Sequence, residues 1–198
     1  MGEDPAALAA EIRRCRACAA EFARTATAHA PRPVLRISRS ARIVIASQAP
    51  GARAHASGLP FDDPSGDRLR AWMGVDRATF YDAERIAILP MAFCFPGYDA
   101  KGNDLPPPPR CAALWRVRAL AATPRNAFTM LVGGHALAWT LGRRAPVTET
   151  VRAWRDAPPD TLPLPHPSWR NTAWLKRNPW FEAEVLPVLR AEVARRLS

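Results

Sequence analysis

Four short segments of the chain have an apolar centre and are bounded by polar residues, proline or glycine. They cover residues 42–47, 85–90, 128–132 and 161–164. Short continuous apolar runs are typical of strands that are buried on both faces of a parallel sheet, because a half-exposed strand alternates apolar and polar residues. The pattern therefore predicts four buried strands.

Around these strands, apolar residues recur three or four positions apart, the spacing of a helix buried on one side. The first predicted helix begins where the N-capping residue Asp4 precedes Pro5, and it extends to about residue 24. Further helices are predicted over residues 64–73, 109–121, 135–141, 147–154 and 179–193. Strands that alternate with helices predict a parallel sheet with helices on both faces, in a single domain over residues 1–198.

Composition places the chain among soluble globular proteins, with 48% apolar and 23% charged residues. No apolar run approaches the roughly 20 residues that span a bilayer. Residues 1–5 lack the basic and apolar regions of a signal peptide. We therefore expect a cytoplasmic protein with no membrane partner.

The chain carries 28 basic and 18 acidic residues, for a net charge of +10. Excess positive charge indicates a polyanionic partner, and arginine is suited to bidentate phosphate contacts. A genome rich in G and C would also raise the content of arginine, alanine and proline. Charge alone therefore leaves both nucleic-acid binding and codon bias open.

His166 follows the fourth predicted strand and lies between Pro165 and Pro167, which restrain the backbone on both sides of the ring. Ligands of open parallel sheets bind beyond the carboxyl ends of the strands. The other predicted strand ends carry Gln48, the segment 90–94 and the pair Gly133-Gly134. We therefore expect these residues to meet His166 in one site.

The four cysteines form a close C-x2-C pair and a distant C-x16-C pair; they are Cys15, Cys18, Cys94 and Cys111. Disulfides are uncommon in cytosolic proteins. Four thiolates suit either a structural zinc ion or a [4Fe–4S] cluster, and four unrelated buried cysteines are a third explanation. A shared site would connect the N-terminal helix to the loop after the second strand.

Four motifs occur in order along the predicted elements. The first is Ser47-Gln48-Ala49-Pro50-Gly51, and the second is Gly58-Leu59-Pro60-Phe61 followed by Ser65-Gly66 and Leu69. The third is the cysteine pattern, and the fourth is His166-Pro167-Ser168. Together they resemble the uracil-DNA glycosylase superfamily and look most like its Fe–S-containing family 4, whose motifs include Gly-Glu-x-Pro-Gly and Gly-x-Pro-Phe-x-Gly-x-Ala-Gly-x-x-Leu.

The resemblance implies a three-layer α/β/α sandwich with a central four-stranded parallel sheet. It implies a monofunctional DNA glycosylase that hydrolyses the N-glycosidic bond of a flipped uracil in single- or double-stranded DNA, in base-excision repair at a bacterial nucleoid. It also favours a [4Fe–4S] cluster on the four cysteines. We expect the protein to act as a monomer.

Residues at the carboxyl edge of the sheet receive roles from this chemistry. His166 is the candidate donor to the uracil O2, because a preorganised donor stabilises the anion of the leaving base. The resemblance gives Phe61 the role of stacking on the base. The backbone N–H groups of Ala49 and Gly51 are further donors, and His55 is a candidate second acid or nucleophile.

A water that attacks the sugar carbon needs a group to orient it. Asp62 and Asp63 are the nearest carboxylates, and Gln48 is a neutral alternative. Asp63 can equally cap the helix that follows it. The resemblance further implies that the loop after the His-Pro-Ser motif enters the minor groove. Its DNA-contacting candidates are Ser168, Trp169 and Arg170.

Three positions depart from the family pattern. Gln48 replaces the motif-A Glu, Pro90 replaces the Asn that reads the uracil edge, and Asp63 replaces a glycine. These changes indicate a divergent branch. Gln48 and Pro90 motivate a second hypothesis, a slow or non-catalytic protein that binds lesions or abasic sites on the same fold. A third hypothesis is a zinc-stapled α/β hydrolase of a small nucleotide.

Overall fold

The computed structural model describes residues 3–198, which are organised around a four-stranded parallel sheet. Its strands are β1 (Ile43–Ala46), β2 (Ile86–Ile88), β3 (Phe128–Val132) and β4 (Thr161–Leu164). Their order across the sheet is β2-β1-β3-β4, and every neighbouring pair is parallel. The four predicted strands and the α/β fold are therefore confirmed. The predicted domain also covers Met1 and Gly2, which lie outside the described residues.

Helices cover both faces of the sheet. They are α1 (Pro5–Arg14), α2 (Ala19–Phe22), α3 (Ala52–Ser57), α4 (Pro64–Met73), α5 (Arg77–Tyr81), α6 (Pro109–Ala121), α7 (Gly134–Leu141), α8 (Val147–Arg152), α9 (Thr172–Arg177) and α10 (Leu186–Leu197). Short 3-10 turns occupy Trp154–Asp156 and Trp169–Asn171, and a π-helical turn, Phe181–Val185, precedes α10. Across residues 3–198, no helix combines the length and apolarity needed to cross a membrane.

The prediction of one continuous helix up to about residue 24 is wrong. Helix α1 ends at Arg14, because Cys15 turns to φ −59° and ψ 132° while its N–H still bonds to the Ile12 carbonyl. The Arg16 guanidinium then donates to the carbonyls of Arg13 and Cys15, at 3.1 and 2.9 Å. Periodicity does not show this local bond. Cys15 and Cys18 therefore lie on the connection between α1 and α2, not on one helix face.

Side chains of β1 alternate between two buried clusters. Ile43 and Ile45 pack in the cluster that includes residues of α4 and α10, whereas Val44 packs in the cluster that includes residues of α1 and α6. The apolar positions predicted to face inward at the C-terminal end are all buried; they are Phe181, Val185, Leu189 and Val193. The sheet is therefore the middle layer of the three-layer sandwich.

Backbone pairing between the ends of β1 and β2 continues beyond the strands. The Met91 N–H donates to the Ser47 carbonyl at 2.8 Å, and the Ala92 N–H donates to the Gln48 carbonyl at 3.1 Å. Pro90 lies between Leu89, whose N–H donates to the Ile45 carbonyl at 2.9 Å, and Met91, and it has no N–H to contribute. The pairing brings the Gln48 loop and Pro90 to the same edge of the sheet, where β4 ends at Leu164.

Candidate active site

A cavity of about 610 Å³ opens at the carboxyl edge of the sheet. Four chain segments supply most of its walls, within residues 47–53, 60–65, 96–105 and 166–171, and Ile88 and Pro90 at the end of β2 complete them. The first, second and fourth segments contain the motifs found in the sequence. The third, which contributes Tyr98 and Asp104, was not predicted as part of the site. The sequence feature that could have indicated this wall is the length of the connection from β2 to α6, which is far longer than the usual few residues.

The His166 ring lines this cavity as a hydrogen-bond donor. The Ser168 N–H donates to His166 Nδ1 at 3.2 Å, so in the neutral ring the proton is on Nε2. Burial lowers the pKa of His166, and the carboxylates of Asp63 and Asp104 partly oppose this effect. Within residues 3–198, Nε2 has no hydrogen-bond partner. The ring therefore offers a free N–H to a bound molecule.

The end of β3 leaves room for this ring. Gly133 has φ +84°, and a Cβ there would lie 3.4 Å from His166 Cβ and 3.5 Å from its Cδ2. From the other side, Asn171 Nδ2 donates to the His166 carbonyl at 2.7 Å. The predicted meeting of Gly133 with His166 is therefore observed, whereas the bond from Asn171 was not predicted.

Phe61 lines the cavity in a strained backbone conformation. Its φ is +56°, in the left-handed region that non-glycine residues rarely occupy. The Tyr81 hydroxyl donates to the Phe61 carbonyl at 3.2 Å, and a Cβ on Gly66 would lie only 1.8 Å from that oxygen. Strain of this kind costs about 1–3 kcal/mol and clusters at functional sites. The conformation places the Phe61 ring at the cavity wall.

Asp63 caps α4 with one carboxylate oxygen and places the other beside the first wall of the cavity. One carboxylate oxygen, Oδ1, accepts the Gly66 N–H at 2.9 Å and caps α4. The other oxygen, Oδ2, lies 3.7 Å from the position of a Cβ on Gly51, in the first wall of the cavity. Gln48 and Ala49 line the same wall, and Gln48 is half-buried. One oxygen of Asp63 therefore remains available to the cavity.

Asp62 and His55 lie outside the cavity walls. Asp62 accepts a hydrogen bond from Arg77 at 2.8 Å, and this bond holds the pKa of Asp62 below its usual range. The His55 ring contacts the rings of His29 and Phe95, with centroids 5.1 and 6.0 Å apart. Burial lowers the pKa of His55. Neither residue therefore lies on a wall of the cavity.

The three candidate DNA contacts stand at the mouth of the cavity, on the turn that follows His166. Trp169 is 71% exposed, and the Arg170 guanidinium lies 5.9 Å from the centre of its ring. Arg170 also approaches Asp104 of the opposite wall, with Nη1 and Oδ2 separated by 3.6 Å. Ser168 Oγ accepts the Arg170 N–H at 3.3 Å and begins the turn. An apolar ring and a cation therefore project beside the opening.

The cavity has no amide side chain at the end of β2. Pro90 and Ile88 line it there, so this wall offers no polar side-chain atom. Polar side chains on other walls include the Tyr98 hydroxyl and the Asp104 carboxylate, both on the segment 96–105. A side chain that reads a base edge would therefore have to come from a different wall than the one expected from the resemblance.

All four cysteines line a second, apolar pocket. The Phe93 N–H donates to Cys111 Sγ at 3.4 Å. Burial, reinforced by neighbouring thiols, raises the pKa of Cys94 to about 12 and that of Cys111 to about 11.

Across residues 3–198, no group of three or more His, Cys, Asp or Glu side chains has the geometry to hold a metal ion. The four thiols therefore match an Fe–S cluster in donor type and share one pocket, but they do not form a group that could hold a metal ion.

Comparison with known families agrees with this arrangement. The model of the Uracil DNA glycosylase superfamily matches residues 36–190. The matched span includes all four strands and every wall of the cavity, and it excludes Cys15 and Cys18. The chain belongs to the uracil DNA glycosylase superfamily.

Proposed function

We propose that the protein is a monofunctional uracil-DNA glycosylase that hydrolyses the N-glycosidic bond of a uracil flipped out of DNA. The observation that carries this proposal is the His166 ring, which is held with a free Nε2–H at the wall of a cavity that Phe61 and Asp63 also line. Family membership supports DNA as the partner. A base must leave the stack to reach such a cavity, and stacking within it repays part of that energy.

Departure of the base is the step assigned to His166. As the glycosidic bond breaks, negative charge develops on the base and its O2 becomes a stronger acceptor. A neutral donor that is already oriented stabilises this charge without reorganising, an effect of about 10²–10³ in rate for one donor. The backbone N–H groups of Ala49 and Gly51 lie on the adjoining wall as further donors.

Attack by water on the sugar carbon is assigned to Asp63. Its Oδ1 is fixed by the cap of α4, so its Oδ2 has a defined position near Gly51. A carboxylate there orients a water and opposes the positive charge of the sugar. Gln48, on the same wall, holds a water by hydrogen bonding alone. Asp63 therefore supplies a carboxylate to a site in which Gln48 replaces the motif-A Glu.

The cysteine pocket is proposed as a [4Fe–4S] site held by Cys15, Cys18, Cys94 and Cys111, in line with the resemblance to family 4. When bound, such a cluster would act as a structural cross-link between the α1–α2 connection, the segment after β2, and the start of α6. The residues assigned to the reaction come from other segments. We also propose a monomeric, cytoplasmic protein.

The test is alkaline cleavage of oligonucleotides that carry a single uracil, in single and double strands, after incubation with the protein. We expect strand scission at uracil with wild type, and at least tenfold less with H166A at an unchanged Kd for DNA. An absence of scission at stoichiometric protein would refute the proposal. Equal excision by wild type and H166A would instead remove His166 from the mechanism.

A second candidate function is binding of lesions or abasic sites without efficient excision. Gln48 and Pro90 favour it, because they remove the acid and the amide that the family motifs place in the site. Tighter binding to an abasic analogue than to uracil DNA, together with no scission, would support this function. The free oxygen of Asp63 is the reason for preferring the enzyme.

A further inference from the structure

Arg68 connects the two parts of the site that the proposed reaction uses. It lies on α4, the helix whose N-terminus is capped by Asp63. Its Nη1 donates to the Ser168 carbonyl at 2.9 Å, and its Nη2 donates to Thr172 Oγ1 at 3.2 Å. Both acceptors belong to the segment that follows His166. The guanidinium thus bridges residues about a hundred positions apart in sequence.

The Ser168 backbone, to which Arg68 binds, orients the His166 ring. The Ser168 N–H donates to His166 Nδ1, and this bond determines that Nε2 carries the proton. The Ser168 carbonyl accepts from Arg68 and also from the Asn171 N–H, at 2.9 and 3.0 Å. Two donors therefore hold the residue whose amide selects the tautomer of the ring.

We infer that Arg68 is a positioning residue that fixes the position of His166 relative to Asp63. This inference rests on the proposed function. The base and the attacking water lie on opposite sides of the sugar carbon, so the two groups must hold a fixed separation. A displacement of about 1 Å in such a pair can lower the rate by about a hundredfold. The planar fork of arginine holds both acceptors at once, whereas lysine offers a single point of contact.

The test compares R68K and R68M with wild type and with R85M. Arg85 precedes β2 at the opposite edge of the sheet and pairs with Asp82, so R85M removes the same charge away from the cavity. We expect single-turnover excision of uracil to fall about ten- to hundredfold in R68M and less in R68K, with R85M at the wild-type rate. The Kd for DNA should stay within about twofold of wild type in all variants.

A second measurement needs no substrate. Nitrogen-15 NMR of the imidazole should show one tautomer, protonated at Nε2, in wild type and R85M, and a mixture in R68M. A wild-type protein that excises no uracil would refute the proposed function while this measurement still tests Arg68. Arg68 is not a positioning residue if R68M keeps both the rate and the single tautomer, or if its defect lies only in DNA affinity.

Discussion

Two polar side chains in the cavity divide their atoms between structure and chemistry. His166 uses Nδ1 to accept the Ser168 N–H and leaves Nε2–H free, and Asp63 uses Oδ1 to cap α4 and leaves Oδ2 free. In each case the structural bond fixes the position of the second atom. Such preorganisation is what catalysis by oriented donors requires. It also allows the two functions of each residue to be separated by substitution.

Asp63→Asn should separate the cap from the charge. Asparagine accepts the Gly66 N–H as aspartate does, so α4 and the unfolding temperature should be preserved. Because the negative charge near the attacking water is lost, single-turnover excision should fall at least tenfold. D63A, which loses the cap as well, is the comparison and should also unfold at a lower temperature. Wild-type excision by D63N would exclude Asp63 as the water-orienting group.

The pH dependence of excision should follow His166. Only the neutral ring accepts at Nδ1 while donating from Nε2, so activity is present above the pKa of the folded protein and is lost as pH falls through it. Burial places that pKa below its ordinary value, and Asp104 opposes the shift. Asp104→Asn should therefore move the acid limb of the pH–rate profile to lower pH. The matched control is D156N, because Asp156 is an exposed aspartate outside the cavity. An acid limb that moves to higher pH in D104N would contradict the assignment.

At the scale of elements, the regular parts of the fold were predictable and the local exceptions were not. Residues 128–132 and 161–164 were predicted as strands with the bounds that β3 and β4 have. Burial on both faces gives such strands an unmistakable apolar run. The end of α1 involves the backbone turn at Cys15 and hydrogen bonds of the Arg16 side chain, which leave no periodic trace.

The residues of the site likewise divide into those that the sequence made predictable and those that it did not. Gln48, Asp63, Phe61 and His166 were predictable because each lies in a motif or next to a strand end. The segment 96–105 was not, because a wall formed by an irregular connection depends on its tertiary placement. The left-handed conformation of Phe61 was likewise invisible in the sequence, since the residue that permits it, Gly66, acts through its missing side chain.

The strained turn at Phe61 gives a prediction at this scale. Tyr81→Phe keeps the ring against Phe80 and removes the hydroxyl bond to the Phe61 carbonyl. Loss of that bond should destabilise the protein by about 1 kcal/mol and raise KM for uracil DNA, because the stacking ring is less well held. Gly66→Ala should have the larger effect on both, since its Cβ overlaps that carbonyl. A Y81F protein with wild-type KM would show that the hydroxyl does not hold Phe61 in place for substrate.

For the whole molecule, the cavity at the carboxyl edge of the sheet and the cysteine pocket are separate sites, and one segment of the chain contributes to both. Pro90 lines the cavity, and Cys94, four positions later, lines the cysteine pocket. The groups assigned to the proposed reaction belong to segments that do not line the cysteine pocket; they are on Gln48, Phe61, Asp63 and His166. A cluster there would therefore act on stability, by joining chain segments that are distant in sequence, and not on the chemical step.

Cys94→Ser tests that separation. If the pocket holds a [4Fe–4S] cluster, the protein purified without oxygen should show the broad visible absorption of Fe–S centres and contain iron, and C94S should lose both. Because the cross-link is lost, C94S should unfold at a markedly lower temperature. Well below that temperature, its single-turnover excision should stay within about threefold of wild type, since His166 and Asp63 keep their positions.

Stoichiometric zinc in a colourless wild type would replace the Fe–S assignment with a structural zinc. Loss of excision in a folded C94S would show instead that the cysteine pocket affects the reaction in the cavity through the segment between Pro90 and Cys94.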